Sequence, residues 1–129
     1  MKGAKYAWLV CRALYELARF EAIIWLRGFG CIQRQLSRQS SAPKLTSPEL
    51  EQAICDAVLL ATCLYWKPVL CLQRSVCAVR LLRKCGIVAK LVIGYRPSPF
   101  FSHAWVEVDG RIVNGSPAYQ TRLQVLYTV

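Results

Sequence analysis

An α+β fold is predicted by three observations. Up to Gly86 the apolar residues recur at helical spacing between start and stop signals, and beyond it the period shortens into β-branched runs. Between two of those runs, Asp109-Gly110 is a hairpin turn signal. Helices first and a small antiparallel sheet after them is the order of an α+β domain, not of alternating strand and helix units.

Residues 4–36 read as one or two helices, because Gly28-Phe29-Gly30 sets two glycines within three positions and weakens helical continuity. The polar run Ser37-Arg38-Gln39-Ser40-Ser41-Ala42-Pro43-Lys44 reads as a linker. Ser47 is placed to cap the next helix, with Pro48 in its first turn and Glu49 and Glu51 where the helix dipole favours anions. That helix is expected to run to about Trp66, since the residue before Pro68 is pushed out of helical geometry. A further helix opens near Leu70 or Cys71 and ends at Gly86, a natural left-handed terminator, with Arg83 and Lys84 in its last turn. Ile87 to Gly94 is β-branched and short enough for a buried strand. Pro97 and Pro99 mark a loop, Phe100 to Val108 is the next strand, and Arg111 to Asn114 is the returning one. Residues 1–45 are thus a helical segment with its linker and 46–129 the main core, one compact unit together.

A chain of 129 residues suits a single domain. Its apolar share of 55% is above the globular norm, so either the core is generous or a partner covers apolar surface. The richest apolar stretch, Tyr6 to Leu26, is interrupted by Arg12, Glu16, Arg19 and Glu21 at helical spacing. That describes an amphipathic helix and not a bilayer span, which needs about 20 nearly uncharged residues. No secretory signal is evident, so the seven cysteines, odd in number and without a Cys-x-x-Cys pair, read as reduced cytoplasmic thiols. A single histidine argues against a structural zinc site as well. The net charge of +10 suits an acidic peptide, nucleic acid or an anionic surface, with solvated basic faces as the plainer account. No nucleic-acid-binding motif accompanies it. Tyr6, Trp8, Tyr15, Phe20 and Trp25 are expected to pack the N-terminal helices, and part of that surface to dock a partner.

Any imidazole chemistry must use His103, because the chain has one histidine. Cys71 is set apart from the other cysteines by opening a helix, where unpaired N–H groups and the positive dipole end favour a thiolate and can hold an oxyanion. For either residue alone the plainer alternative is structural: a buried free cysteine, or a strand histidine bonded locally. A cysteine at a helix start with a histidine on a facing antiparallel sheet is nevertheless the arrangement shared by papain-like and transglutaminase-like enzymes. Trp105 and Glu107 alternate with His103 along one strand face and are candidates for lining the substrate cleft, core packing being the alternative for Trp105. Arg74, Arg80, Arg83 and Lys84 decorate the helix behind Cys71, either to meet acidic partner groups or as a solvated face.

The run from Cys71 to Ile87, Leu91-Val92-Ile93-Gly94-Tyr95-Arg96, Pro99 to Glu107 and Val113-Asn114-Gly115-Ser116-Pro117 closely resembles the transglutaminase-like leader peptidases of lasso-peptide biosynthesis. The resemblance is strongest over residues 68–117 and only general in the N-terminal helices. It implies a bacterial cytoplasmic cysteine peptidase that uses Cys71 and His103 to remove the leader of a ribosomally made precursor, with no bound cofactor. It also implies two partners, a leader-recognition protein and an asparagine-synthetase-like lasso cyclase, whose ATP requirement does not follow for this chain. No winged-helix recognition module is visible, so the chain is expected to be the stand-alone peptidase half. A transamidase using the same pair and a degenerate adaptor that binds leader or cyclase are the alternatives.

The third catalytic residue departs from the family, whose returning strand usually carries Asn-Asp-Ser-Pro where this chain has Gly115 after Asn114. Asp109 lies six residues from His103, about 20 Å along a strand at about 3.3 Å per residue, and fits a turn role. A two-residue turn sets His103 opposite Ser116 and a three-residue turn sets it opposite Gly115, so Asn114 is a near neighbour in both registers. An amide can orient an imidazole, so Asn114 or a backbone carbonyl is expected to do so. Asn114→Ala should therefore slow leader cleavage and Asp109→Ala should not; the opposite ranking in a cleavage assay rejects this reading of the hairpin.

Overall fold

The computed structural model describes residues 3–39, 48–97, 100–113 and 123–129. Its elements are α1 (Gly3–Arg27), α2 (Phe29–Arg38), α3 (Pro48–Leu64), α4 (Cys71–Lys84), β1 (Ala89–Pro97), β2 (Phe100–Val108), β3 (Arg111–Ile112) and β4 (Gln124–Thr128). The α+β class stands, and the N-terminal stretch is two helices. Gly28 divides them with φ 80°, a left-handed conformation that side-chain-bearing residues avoid, and its N–H closes α1 on the carbonyls of Ile23 and Ile24. The expected Ser47 cap and most of the linker lie outside the described residues, although α2 extends through Ser37 and Arg38.

Helix α3 stops at Leu64, two residues before the expected end. Tyr65 and Lys67 turn instead toward α1, where the Tyr65 hydroxyl donates to Glu21 and Lys67 Nζ pairs with the same carboxylate. These two partners hold the Glu21 carboxyl below its ordinary pKa. Helix α4 ends as its sequence foretells: Ile87 N–H reaches Leu82 O at 3.0 Å, Gly86 N–H reaches Arg83 O at 3.1 Å, and Gly86 has φ 88°. That is a Schellman motif.

Helix α4 lies between the α1–α3 pair and the sheet, and eight of its residues are buried, which is more than one apolar stripe can supply. Four of its polar side chains are tied to neighbouring elements. Gln73 Nε2 donates to Leu17 O at 2.9 Å, and Cys77 Sγ donates to Ala13 O at 3.4 Å. Arg80 Nε meets Glu16 at 2.8 Å while its Nη1 donates to Gln35, and Glu16, only 4% exposed, also faces Arg12. Arg83 donates to Leu36 O at 2.7 Å and to Ala89 O at 3.0 Å. Arg80 and Arg83 are therefore internal ties between helices and sheet, neither a solvated face nor a free docking surface.

The aromatic residues of α1 divide in the same way. Tyr6 and Phe20 lean on the core, but Trp8, Tyr15 and Trp25 are 51%, 53% and 86% exposed. They fall off the buried stripe Leu9, Val10, Ala13, Glu16 and Leu17, so the expectation that they pack the helices holds for only two of the five. Among the described residues no helix is long and apolar enough to cross a membrane.

The sheet is antiparallel, in the order β3-β2-β1-β4. Asp109 and Gly110 form a two-residue turn with φ 53° and 76°, the positive pair that a type I′ hairpin needs, and Val108 faces Arg111. Strand β4 has no counterpart in the sequence reading. It pairs β1 with a register shift at Ile93–Gly94, and four of its five residues are exposed, so it carries no period-two signal. Alternation on β2 sends Ala104, Val106 and Val108 into the helix-facing core. Trp105 packs on the other face with Val92 and Leu123. Gly94 sits beneath that indole: a Cβ there would lie 2.6 Å from the Trp105 ring and 2.9 Å from Leu123. Gly94→Ala is expected to cost about 1–3 kcal/mol through overpacking, read as a lower urea midpoint at unchanged slope. An unchanged midpoint would show that the indole moves aside freely.

Candidate active site

Cys71 is the first residue of α4, half-buried against the main core. Leu70 precedes it as the N-cap with extended backbone, there is no side-chain cap bond, and the first turn contains no acidic residue. The leading N–H groups and the positive dipole end are thus left for an outside acceptor. Two other cysteines sit where the thiolate is disfavoured. Burial pushes the Cys77 thiol far up, and burial together with Glu51 and Asp56 pushes Cys55 to about 11, so both stay protonated near neutrality.

His103 occupies the middle of β2, opposite Gly94 in the β1 register. Its ring stacks between two neighbours of the same strand face: Phe101 at 6.3 Å with an interplanar angle of 12°, and Trp105 at 6.3 Å with 23°. Both separations fall in the range of favourable ring pairs. Trp105 is itself fixed, being 1% exposed and donating from Nε1 to Glu107 at 3.0 Å. Its surroundings are those of a core residue, and Glu107 is its acceptor. His103 Nε2 is shielded from solvent. Burial, and then the Arg74 cation, hold the imidazole pKa below its ordinary value.

Two observations bring the start of α4 to the middle of β2. Ser75 Oγ donates to the carbonyl of Ala104, the residue after His103, at 3.2 Å. Arg74, three residues after Cys71, lies near enough for its charge to act on the imidazole. Cys71 and Ser75 share a helix face at i and i+4, about 6 Å apart along the axis. The thiol of Cys71 makes no hydrogen bond among the described residues; the fold brings together the two elements that carry the pair, while the alternation of β2 sets His103 on the Trp105 face, away from the helix-facing core against which Cys71 packs. Asp109 is exposed at the tip of the hairpin, in the turn role expected of it, while Asn114 and Gly115 lie outside the described residues. The residue that sequence reasoning missed is Ser75, whose role no spacing reveals. Among the described residues no three His, Cys, Asp or Glu side chains gather as a metal site would require.

Residues 14–128 match the transglutaminase-like superfamily. Over 56 residues the chain is 45% identical to the microcin J25-processing protein McjB of Escherichia coli, a stretch that covers 43% of this chain and 27% of that protein. The match thus spans little more than a quarter of the relative's length. No solved structure matches the chain.

The single histidine makes the electrostatics directly measurable. Because the folded pKa is depressed, the unfolded chain binds the proton more tightly, so stability falls as pH drops through the unfolded value of about 6.5 and is unaffected by this group above it. In a proton NMR titration, Arg74→Gln should move the imidazole midpoint up but not fully to the ordinary value, since burial is the larger cause. A midpoint that stays or falls would show that the cation does not act on the ring.

Proposed function

This chain belongs to the transglutaminase-like superfamily, and we propose that it is a cysteine peptidase removing the leader from a ribosomally made lasso-peptide precursor. The observation that carries the reading is the Ser75–Ala104 hydrogen bond, which docks the helix headed by Cys71 on β2 at the residue next to His103. The likeness to a microcin-processing protein supports the substrate class.

In this mechanism His103 takes the Cys71 thiol proton as sulfur attacks the carbonyl carbon at the leader–core junction. The oxyanion forms next to the uncapped N–H groups of α4. The imidazolium then gives its proton to the leaving amine, which departs as the new core N-terminus and leaves the leader as a thioester on Cys71. His103 next deprotonates water, which attacks the thioester and releases the leader carboxylate, and the proton returns to the thiol. The depressed imidazole pKa suits the first step, because it keeps the ring neutral and able to accept at pH 7. A separate leader-recognition protein would deliver the precursor, and a synthetase-like cyclase would consume the freed core. The thiol chemistry itself calls for no cofactor.

Cys71→Ala should lower cleavage of precursor by at least about a thousandfold, whereas an adaptor would keep full function. In heavy-oxygen water the hydrolase puts label in the leader carboxylate. An unlabelled leader joined to an amine instead identifies a transamidase and overturns the peptidase reading.

A further inference from the structure

Next to the Cys71 face of α4 lies a cavity of about 270 Å³ between α3 and α4. One wall is the α3 stripe Gln52, Cys55, Asp56 and Leu59, at i, i+3, i+4 and i+7; the other is Arg74 and Ala78 on α4. Cys71, Arg74 and Ala78 stand at i, i+3 and i+7, so the cavity continues the helix face that the nucleophile heads. Its volume is below the range of about 300–1,000 Å³ typical of small-molecule pockets, and suits one side chain of an extended peptide.

The polar groups around it limit what that side chain can be. On the α4 wall, Arg74 Nε is shielded from solvent and has no hydrogen-bond partner, a state that costs free energy until an acceptor arrives. On the α3 wall, the exposed Asp56 carboxylate accepts from Gln52 at 2.9 Å and has further acceptor capacity. Cys55 between them is a neutral thiol that adds polarisable surface without charge. An acidic side chain would satisfy Arg74 and be repelled by Asp56, and a basic one would meet the reverse. A neutral group with both a donor and an acceptor satisfies both walls.

We propose that this α3–α4 groove is a side-chain subsite of the peptide site, taking an uncharged residue with donor and acceptor, a carboxamide above all, and rejecting charged ones. The proposal rests on the peptidase reading for its substrate class, but its test does not depend on cleavage. ¹⁵N-labelled protein is titrated with N-acetyl-asparagine N-methylamide and with the aspartate and lysine counterparts. The amides of Ala78 and Val113, which line the groove, should shift with the asparagine compound at concentrations about tenfold lower than with either charged one. Asp56→Asn, a change at an exposed position, should bring the aspartate compound level with the asparagine one. Equal responses to all three compounds overturn the proposal, as does an order unmoved by Asp56→Asn or a lack of shifts at these two amides. A protein that passes this test and cleaves no precursor keeps the subsite and loses the peptidase reading. One that cleaves and fails the titration keeps the peptidase and loses the subsite.

Discussion

The docking of α4 on β2 is the constraint from which the rest of the architecture follows. A helix buried on two sides needs partners for the polar groups it carries inward, because an unmade bond in the interior costs more than a made one contributes. Ser75 finds its acceptor in β2, Gln73, Cys77 and Arg80 find theirs in α1, and Arg83 finds its own in α2 and β1. Sliding the helix by one residue would break all of these bonds together. Its N-terminus is consequently held in one place, and Cys71 is held with it.

The His103 ring is held in part by stacking within its own strand. A carboxylate orients an imidazole through one directional bond. Here Phe101 and Trp105 flank the ring on the same strand, and Glu107 fixes Trp105 in turn. Four residues in alternation thus form one row, with Gly94 across the pair giving the indole room. Such a row confines the plane of the ring, while the choice of tautomer is left to whichever group bonds its nitrogens.

Legibility of the sequence follows the range of the physics. Gly28, Gly86 and the Asp109-Gly110 pair were readable because positive φ is a local property that few residues tolerate, and each stands where the sequence placed it. Strand β4 was invisible because it is an exposed edge with no alternation, recruited by β1 from about 30 residues away. The inward turn of Arg80 and Arg83 was equally hidden. A cation on a helix reads as solvent-facing until a distant Glu16, or a free carbonyl at the end of α2, is seen to meet it. Around the candidate pair, position and resemblance pointed to Cys71 and His103, whereas the Ser75 contact, the aromatic flanks and the Arg74 charge were not legible.

By itself the sequence determined that helices precede the sheet, where α1 and α4 end and where the hairpin turns, and that any imidazole chemistry must fall on His103. These are local matters of backbone conformation and residue type. Only the tertiary structure decided which face of β2 meets the helices, which charges are buried, and that α4 docks on β2 through Ser75. Those depend on contacts between residues 29 to 64 positions apart, such as Ser75 with Ala104 and Arg80 with Glu16, whose free energy exists only once the chain is packed.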